Sequence, residues 1–298
     1  MSSLPEAALI IASRDRPALL ADTVNSVLQG ETLPAEIVVV DQSRQPHPTL
    51  SKIDAAPGCQ VRYIWSQTSG VSRARNIGIA AAQCDILSII DDDLLVEPGW
   101  YPALTQALLA AGQKSVISGQ VRPYAVETGG GFAPSTKTDQ APMIYQGRVG
   151  KDVLYTANMA MYRQAVQDVG GFDERLGPGS SFPGSEDSDF GYRLLEAGYR
   201  ILYAPQAVVN HRPWRTGENY LPLRWNYGLG RGAFYAKYLS LQDRYMLTRM
   251  LLDIRNHLAA VPGLARRERR RAWGNILLSC GILVGAGRWR FGQRRARR

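Results

Sequence analysis

Short, mostly apolar runs that end in charged residues constrain the fold of this chain most strongly. Ala7–Ala12, Ile37–Val40 and Asp85–Ile90 have the length and composition of strands buried on both faces of a parallel sheet. Segments with helical spacing separate these runs at short intervals, which predicts an open, mostly parallel α/β sheet. Ligands bind such sheets beyond the carboxyl ends of the strands, so the first half is predicted to bind a nucleotide.

Three acids in a row, Asp91–Asp93, directly follow one of these strands. In extended backbone, residues two apart point the same way, so Asp91 and Asp93 are expected to face one pocket and Asp92 to face elsewhere. Two carboxylates that face each other repel, and a divalent cation such as Mg²⁺ or Mn²⁺ relieves that repulsion and can also bind a diphosphate. A solvated acidic turn is the alternative interpretation.

A second acidic cluster, Ser185–Asp189, opens a predicted helix. Acids are favoured at a helix N-terminus by the helix dipole, so capping competes with function as an explanation. Three acids in four residues exceed what a cap requires, and a carboxylate here would be able to accept a proton from a hydroxyl group.

One of the three histidines, His211, follows a pair of predicted short strands, Ile201–Tyr203 and Ala207–Val209. It is predicted either to ligate a metal ion or to lie at the surface at the end of a strand. Its position alone does not decide between the two.

These motifs resemble the inverting family 2 glycosyltransferases of the GT-A fold over about three quarters of the chain. Seven segments follow one another in the order that the family has: Ala7–Arg16, Ile37–Ser43, Ser72–Gly78, Asp91–Asp93 as the DXD motif, Thr156–Arg163, Gly170–Gly177, and Glu186-Asp187 followed by Arg193. A single motif of this kind has little specificity, whereas the ordered series is typical of the family.

The resemblance implies a function for individual residues. The donor would contact five of them: Arg14, Asp41, Arg75, Asp91 and Asp92. Asp91, Asp93 and His211 would hold Mn²⁺ or Mg²⁺. Asp187 would be the general base, with Glu186 and Arg193 supporting it or the acceptor. The implied reaction moves a sugar from UDP, or from GDP or dTDP, to a hydroxyl of a glycan or lipid-linked acceptor with inversion.

The charge of the chain is concentrated at one end. The net charge is +9, but residues 266–298 contain eleven arginines and one acid, which leaves the remainder close to neutral. Within this tail the apolar stretch 273–287 is shorter than the roughly 20 residues that a spanning helix needs. Arginines on both sides of it predict a segment that lies on an anionic membrane surface.

The predicted organisation has three parts. Residues 1–220 form the catalytic domain, with a nucleotide-sugar half at 1–115 and an acceptor half at 116–220. Helices follow at 221–265, and the basic tail occupies 266–298. Three unpatterned cysteines favour a reducing compartment, and we expect a cytoplasmic protein, peripheral on the inner face of the cell membrane.

Two other functions fit parts of this pattern. A sugar nucleotidyltransferase shares the strand-helix layout, but its glycine-rich phosphate loop is missing from Ser13–Pro17. The hypothesis that the chain binds nucleic acid is supported by the basic tail alone. The near-neutral remainder of the chain offers no continuous basic groove for a nucleic acid. We therefore expect no nucleic acid partner.

Overall fold

A computed structural model of the chain describes residues 4–50, 55–56, 58–124, 132–133, 135–212 and 215–296. Its strands are β1 Ala7–Ser13, β2 Glu36–Asp41, β3 Ala55–Ala56, β4 Cys59–Trp65, β5 Ile86–Asp91, β6 Leu94–Val96, β7 Ser115–Pro123, β8 Met143–Tyr145, β9 Asn158–Tyr162 and β10 Arg200–His211. Its helices are α1 Pro17–Leu28, α2 Val71–Ala81, α3 Trp100–Ala111, α4 Arg163–Val169, α5 Glu186–Glu196, α6 Tyr220–Tyr238, α7 Tyr245–Ala259, α8 Val261–Arg267 and α9 Arg269–Ala296, with a 3₁₀ turn at Gly217–Asn219.

The strands of the described ranges form one sheet. Their order is β3-β4-β2-β1-β5-β9-β7-β10-β6, and β8 pairs with β10. Strands β4, β2, β1 and β5 run parallel, as do β7 and β10, while β9 lies antiparallel between the two groups. The predicted α/β architecture with a mostly parallel central sheet is confirmed.

The first strand shows why the apolar runs fold as they do. Every residue of β1 is buried, and successive side chains enter opposite layers of the core. Leu9 and Ile11 pack in the layer that contains α1 and α3, whereas Ala8 and Ile10 pack in the layer that contains α2 and α5. Because both faces are covered, the strand contains no polar residue before Ser13, where it reaches the edge of the sheet.

Strand β10 joins the two short strands that the sequence predicts at Ile201–Tyr203 and Ala207–Val209. It pairs with β7 along its whole length, with a register shift between Ala204 and Val208. Pro205 lies within this irregular stretch and has no N–H to donate to a neighbouring strand. The single strand carries His211 to the same edge of the sheet as Asp91.

Helices α6 and α9 pack closely along each other. A Cβ on Gly232 would overlap the carbonyl oxygen of Ile282, and a Cβ on Gly285 would overlap that of Leu229, so the two backbones are in direct contact. The apolar stretch 273–287 therefore lies within the 28-residue helix α9 and packs along α6.

One side of α9 is covered and the other is open. Leu278, Ile282 and Trp289 are buried, whereas Trp273 and Phe291 are exposed. Among the residues that the structure describes, every helix is too short or too polar to span a lipid bilayer.

Candidate active site

A pocket of about 680 Å³ opens at the carboxyl ends of β1 and β5. One end of it is lined by Ser13 and Arg14 after β1 and by Asp91 after β5. The opposite end is lined by the first turn of α5 and by α6. The sheet therefore brings the two predicted acidic clusters to a single cavity, although they lie more than ninety residues apart in the sequence.

Arg75 connects the two clusters. From α2, its guanidinium donates to Asp91 at 2.8 Å and to Glu186 at 3.2 Å. The side chain is almost completely buried, and a buried cation is stable only when acids of this kind compensate it. Burial alone would lower the pKa of Arg75, but Asp91 and Glu186 raise it above its usual value, so the guanidinium stays charged.

Asp93 and His211 lie together at the strand-end side of the pocket. The Nε2 atom of His211 lies 3.5 Å from Oδ1 of Asp93, and Nη1 of Arg16 lies 2.9 Å from Oδ2. On the other side of the ring, Nδ1 of His211 lies 3.0 Å from the carbonyl oxygen of Ser135. Burial would lower the pKa of His211, and the carboxylate of Asp93 more than offsets this, so that the pKa is raised.

These two residues fit a divalent cation in part. A histidine ligand usually donates its second ring N–H to a carbonyl or carboxylate, as the Nδ1 contact with Ser135 allows. No group of three or more His, Cys, Asp or Glu side chains in the described ranges is arranged to hold a metal ion by itself. Mg²⁺ and Mn²⁺ commonly take few protein ligands and complete their shell with water and substrate phosphates, so the pair Asp93 and His211 is compatible with a site that the donor completes.

Asp187 follows Glu186 in the first turn of α5 and also lines the pocket. Burial raises its pKa to about 7, and the nearby charges of Glu186 and Asp152 contribute to the rise. Its Oδ1 accepts a hydrogen bond from the backbone N–H of Ser188 at 2.7 Å, which fixes the side chain at the start of α5. A carboxylate whose pKa lies near neutrality is suited to accept a proton in a reaction at physiological pH.

Helix α6 forms one wall of the pocket, which the sequence did not predict. Arg224, Tyr227 and Arg231 recur at helical spacing and all line the cavity. This spacing was the available signal, but the sequence predicts only that helices follow at 221–265 and assigns no function to these three residues. Arg215, in the connection before α6, lines the same end.

An ion-pair network holds this wall in place. Arg231 pairs with Asp152 on the catalytic side and with Asp253 on α7 at 3.1 Å. Arg249 on α7 donates to the same Asp152 at 2.6 Å. Asp189 on α5 is fully buried and accepts from Lys237 at 2.6 Å. These ion pairs therefore connect helices α6 and α7 to Asp152 and to α5, next to the pocket.

Four of the predicted site residues make hydrogen bonds or ion pairs within the protein: Arg14, Asp41, Asp92 and Arg193. Arg14 lines the pocket and donates to Ser69 Oγ at 2.6 Å. We expected Asp92 to contact the donor, but it is fully buried behind the pocket wall and pairs with Arg16 at 2.5 Å. The turn after β5 directs its side chain under the end of β1, where Ser13 Oγ donates to it.

Asp41 and Arg193 also make structural contacts. Asp41 lies at the end of β2, where its carboxylate accepts hydrogen bonds from the Tyr63 hydroxyl at 2.6 Å and from the Ser43 backbone N–H at 2.8 Å. We expected Arg193 near the base or the acceptor. It points away from the pocket, because its guanidinium donates to Asp189 at 3.0 Å and to the carbonyl oxygens at 169–171.

Comparison of the chain with solved structures identifies the fold. The mannosyltransferase PcManGT from Pyrobaculum calidifontis, in complex with GDP-Man and Mn²⁺, aligns with a TM-score of 0.64 at 16% identity. The alignment covers 97% of this chain and 88% of that one, so the C-terminal helices are included. The arrangement is the GT-A fold, with a Rossmann-like sheet and flanking helices.

Two curated proteins show similarity in sequence. The pre-mycofactocin glycosyltransferase of Mycobacterium tuberculosis is 30% identical over 183 residues, which cover 59% of this chain and 37% of that protein. The glucosyl-dolichyl phosphate glucuronosyltransferase of Haloferax volcanii is 26% identical over 232 residues, which cover 71% of each. The match thus spans little more than a third of the mycobacterial relative.

The family assignment rests on a continuous match over a large part of the chain. Residues 8–170, more than half of the chain, match the family described as Glycosyl transferase family 2. They contain the ends of β1 and β5 that line the pocket, together with Arg75 and Asp91–Asp93. The chain belongs to glycosyl transferase family 2.

Proposed function

We propose that this glycosyltransferase moves a sugar from a nucleotide diphosphate sugar to an acceptor hydroxyl with inversion at the anomeric carbon. The observation that carries the proposal is the placement of Asp187, with its raised pKa, in the same pocket as Asp91 and Asp93. One end of the cavity offers carboxylates to a metal and a diphosphate, and the other offers a base to a hydroxyl. Family membership favours this transfer over nucleotidyl transfer.

The donor would lie along the strand ends. Arg14 and Gln42 line this end of the pocket and are placed to contact the nucleoside, with Asp41 buried behind them. Asp93 and His211 would hold Mn²⁺ or Mg²⁺, with Asp91 beside them. When bound, such a cation offsets the charge that develops on the leaving diphosphate. We propose UDP as the carrier, with GDP and dTDP as the alternatives to screen.

The chemistry of the chain's own residues follows from this placement. Asp187 accepts the proton of the acceptor hydroxyl while that oxygen forms a bond to the anomeric carbon. The bond between the same carbon and the diphosphate oxygen breaks, and its electron pair leaves with the nucleoside diphosphate. Arg75 holds Asp91 and Glu186 in position. A single displacement of this kind inverts the configuration and requires no protein nucleophile.

The acceptor is proposed to be a glycan or a lipid-linked saccharide. The name of the Haloferax relative specifies a substrate linked through dolichyl phosphate, which supports this class. We also propose that the chain docks on the anionic inner face of the cell membrane through α9. The support is the exposure of two apolar side chains of α9, Trp273 at 59% and Leu283 at 58%, beside the arginines of α8 and α9.

A donor screen tests the proposal. Purified protein is incubated with UDP-, GDP- and dTDP-sugars with Mn²⁺, with Mg²⁺ and with a chelator, and nucleoside diphosphate release is measured with and without saccharide acceptors. We expect metal-dependent release from one donor class and, by NMR, a product of inverted anomeric configuration. A product that retains the donor configuration, or release that is equally fast with a chelator, would contradict it.

A further inference from the structure

Arg224 differs from the other arginines of the α6 wall in how its charge is compensated. Its Nη2 donates to Asn275 Oδ1 on α9 at 2.9 Å, whereas its Nε is buried without a hydrogen-bond partner among the described residues. In those residues it also has no carboxylate within ion-pair distance. Burial lowers the pKa of Arg224, as expected for a guanidinium that lacks an acidic partner.

Arg231, two turns further along α6, provides the contrast. It lines the same pocket but pairs with both Asp152 and Asp253, and these acids raise its pKa against the effect of burial. A part-buried cation costs free energy unless an anion or hydrogen-bond acceptors compensate it. Among the described residues, two acids thus pair with Arg231, whereas the side-chain acceptor of Arg224 is the neutral amide of Asn275.

The position of Arg224 assigns it to the acceptor end. Tyr227, one turn along α6, packs beside Gly184, just before Glu186: its Cα lies 3.5 Å from the position of a Cβ on Gly184. Burial raises the pKa of Tyr227 to about 12, and the charges of Glu186 and Asp187 contribute to the rise. Asn275, to which Arg224 donates, lies on α9 and not on the strands whose ends line the proposed donor side.

We propose that Arg224 binds an anionic group, a phosphate or a carboxylate, of the acceptor, and thereby selects acidic acceptors over neutral ones. The inference rests on the proposed function and adds the chemical class of the second substrate. A guanidinium forms strong, charge-assisted hydrogen bonds with either oxyanion. Arg224 would hold that group on the α6 wall while Asp187 faces the hydroxyl that reacts.

The test measures binding of three octyl probes by calorimetry to the full chain saturated with the nucleoside diphosphate that it binds, with Mn²⁺. The probes are octyl glucoside, which is neutral, octyl glucuronide, which carries a carboxylate, and the octyl phosphodiester of glucose. We expect at least one anionic probe to bind roughly tenfold more tightly than octyl glucoside. The preferred probe distinguishes a glycan carboxylate from a lipid phosphate.

Variants test whether Arg224 causes the preference for an anionic probe. R224Q is expected to remove the preference, R224K to retain most of it, and R255Q, which removes an exposed arginine from α7, to leave it unchanged. The proposal would be overturned if the wild type bound the neutral probe as tightly as the anionic probes. It would also be overturned if R224Q kept the preference for an anionic probe, or if R224K and R224Q lost that preference to the same extent. Displacement of the nucleotide by the anionic probe would also overturn it. Nucleotide affinity, measured in the same samples, reports separately on the proposed function.

Discussion

Nη1 of Arg75 lies 3.2 Å from Oε1 of Glu186, and this contact joins the donor half of the pocket to the acceptor half. The same guanidinium donates to Asp91, so one buried side chain sets the spacing between the end of β5 and the start of α5. Asp187 is the next residue after Glu186. The distance between the proposed base and the proposed donor site therefore depends on Arg75.

Replacement of Arg75 by methionine tests this dependence. The variant leaves Asp91 and Glu186 without their common partner, and loss of one member of a buried ion pair lowers the free energy of unfolding by about 3 kcal/mol. Arg73→Met is the matched control on the same helix, because Arg73 pairs with Glu174 at the surface and such pairs contribute about 0–1 kcal/mol. Urea unfolding that affects both variants equally would contradict the role of Arg75.

Asp187→Asn keeps the size of the side chain but removes its ability to accept a proton at neutral pH. We expect transfer to fall by about 10²–10⁴-fold while nucleotide binding is retained, as is typical for loss of a general base. Asp85→Asn, which changes an exposed aspartate just before β5, at the opposite end of that strand from the pocket, is the control. Turnover of Asp187→Asn within a few-fold of the wild type would assign the base to another residue.

The raised pKa of Asp187 gives a pH dependence with a definite sign. Only the deprotonated carboxylate accepts a proton, so kcat is expected to rise as pH increases through about 7 and to level off above it. An unperturbed aspartate would place this rise near pH 4. A rate profile that is flat from pH 5.5 to 8.5 in the wild type would exclude Asp187 as the titrating base.

Asp93→Ala tests the proposed metal site. The residue lies at the rim of the pocket and faces His211, so its loss is expected to weaken nucleotide binding in Mn²⁺ by about 100-fold, at or above the range for loss of a residue that supports a ligand. Nucleotide binding in a chelator should change little. Asp92→Asn is the contrasting variant, since Asp92 is buried behind the pocket and should affect stability more than affinity. Unchanged Mn²⁺-dependent affinity in Asp93→Ala would disprove the site.

The sequence predicted best those elements whose environment is uniform. Strands β1, β2 and β5 are buried on both faces, so their apolar composition alone places them within one or two residues of the observed ends. Strand β10 is predicted as two pieces because Pro205 interrupts its pattern, and pairing with β7 on either side of the irregularity restores the strand.

The acceptor wall depends on contacts that no local pattern contains. Arg224 and Glu186 belong to elements whose approach is set by the packing of α6 on α5 and α9, far apart in sequence. Asp91 and Asp93 line the pocket and Asp92 does not, as the sequence predicts, but the cause is the turn after β5 and not the alternation of an extended strand. The function of each residue follows from the family resemblance and stays a prediction.

The close contact between α6 and α9 gives a prediction about stability. In Gly232→Ala the new methyl group would overlap the carbonyl oxygen of Ile282, and overpacking of this kind costs about 1–3 kcal/mol. Gly263→Ala in α8 is the control, since a Cβ there contacts nothing within 4 Å and alanine favours a helix. Equal melting temperatures for the two variants would show that the helices separate readily.

Membrane docking through α9 is tested by flotation with vesicles. The full chain is expected to bind anionic vesicles more tightly than neutral ones, and salt should weaken binding by screening the arginines. Trp273→Ser removes apolar area from the open face, which corresponds to a loss of about 1 kcal/mol, or roughly fivefold in affinity.

Ile144→Ser is the control for this variant, because Ile144 is similarly exposed, at 62%, but lies on β8. If both substitutions weaken flotation equally, the contact is not specific to α9. If instead the chain stays in the soluble fraction with anionic vesicles at low salt and binds DNA, the arginines serve a nucleic acid and the membrane proposal is wrong. The open face of α9 should then tolerate Trp273→Ser without any change in binding, since an apolar face contributes nothing to contacts with phosphates alone.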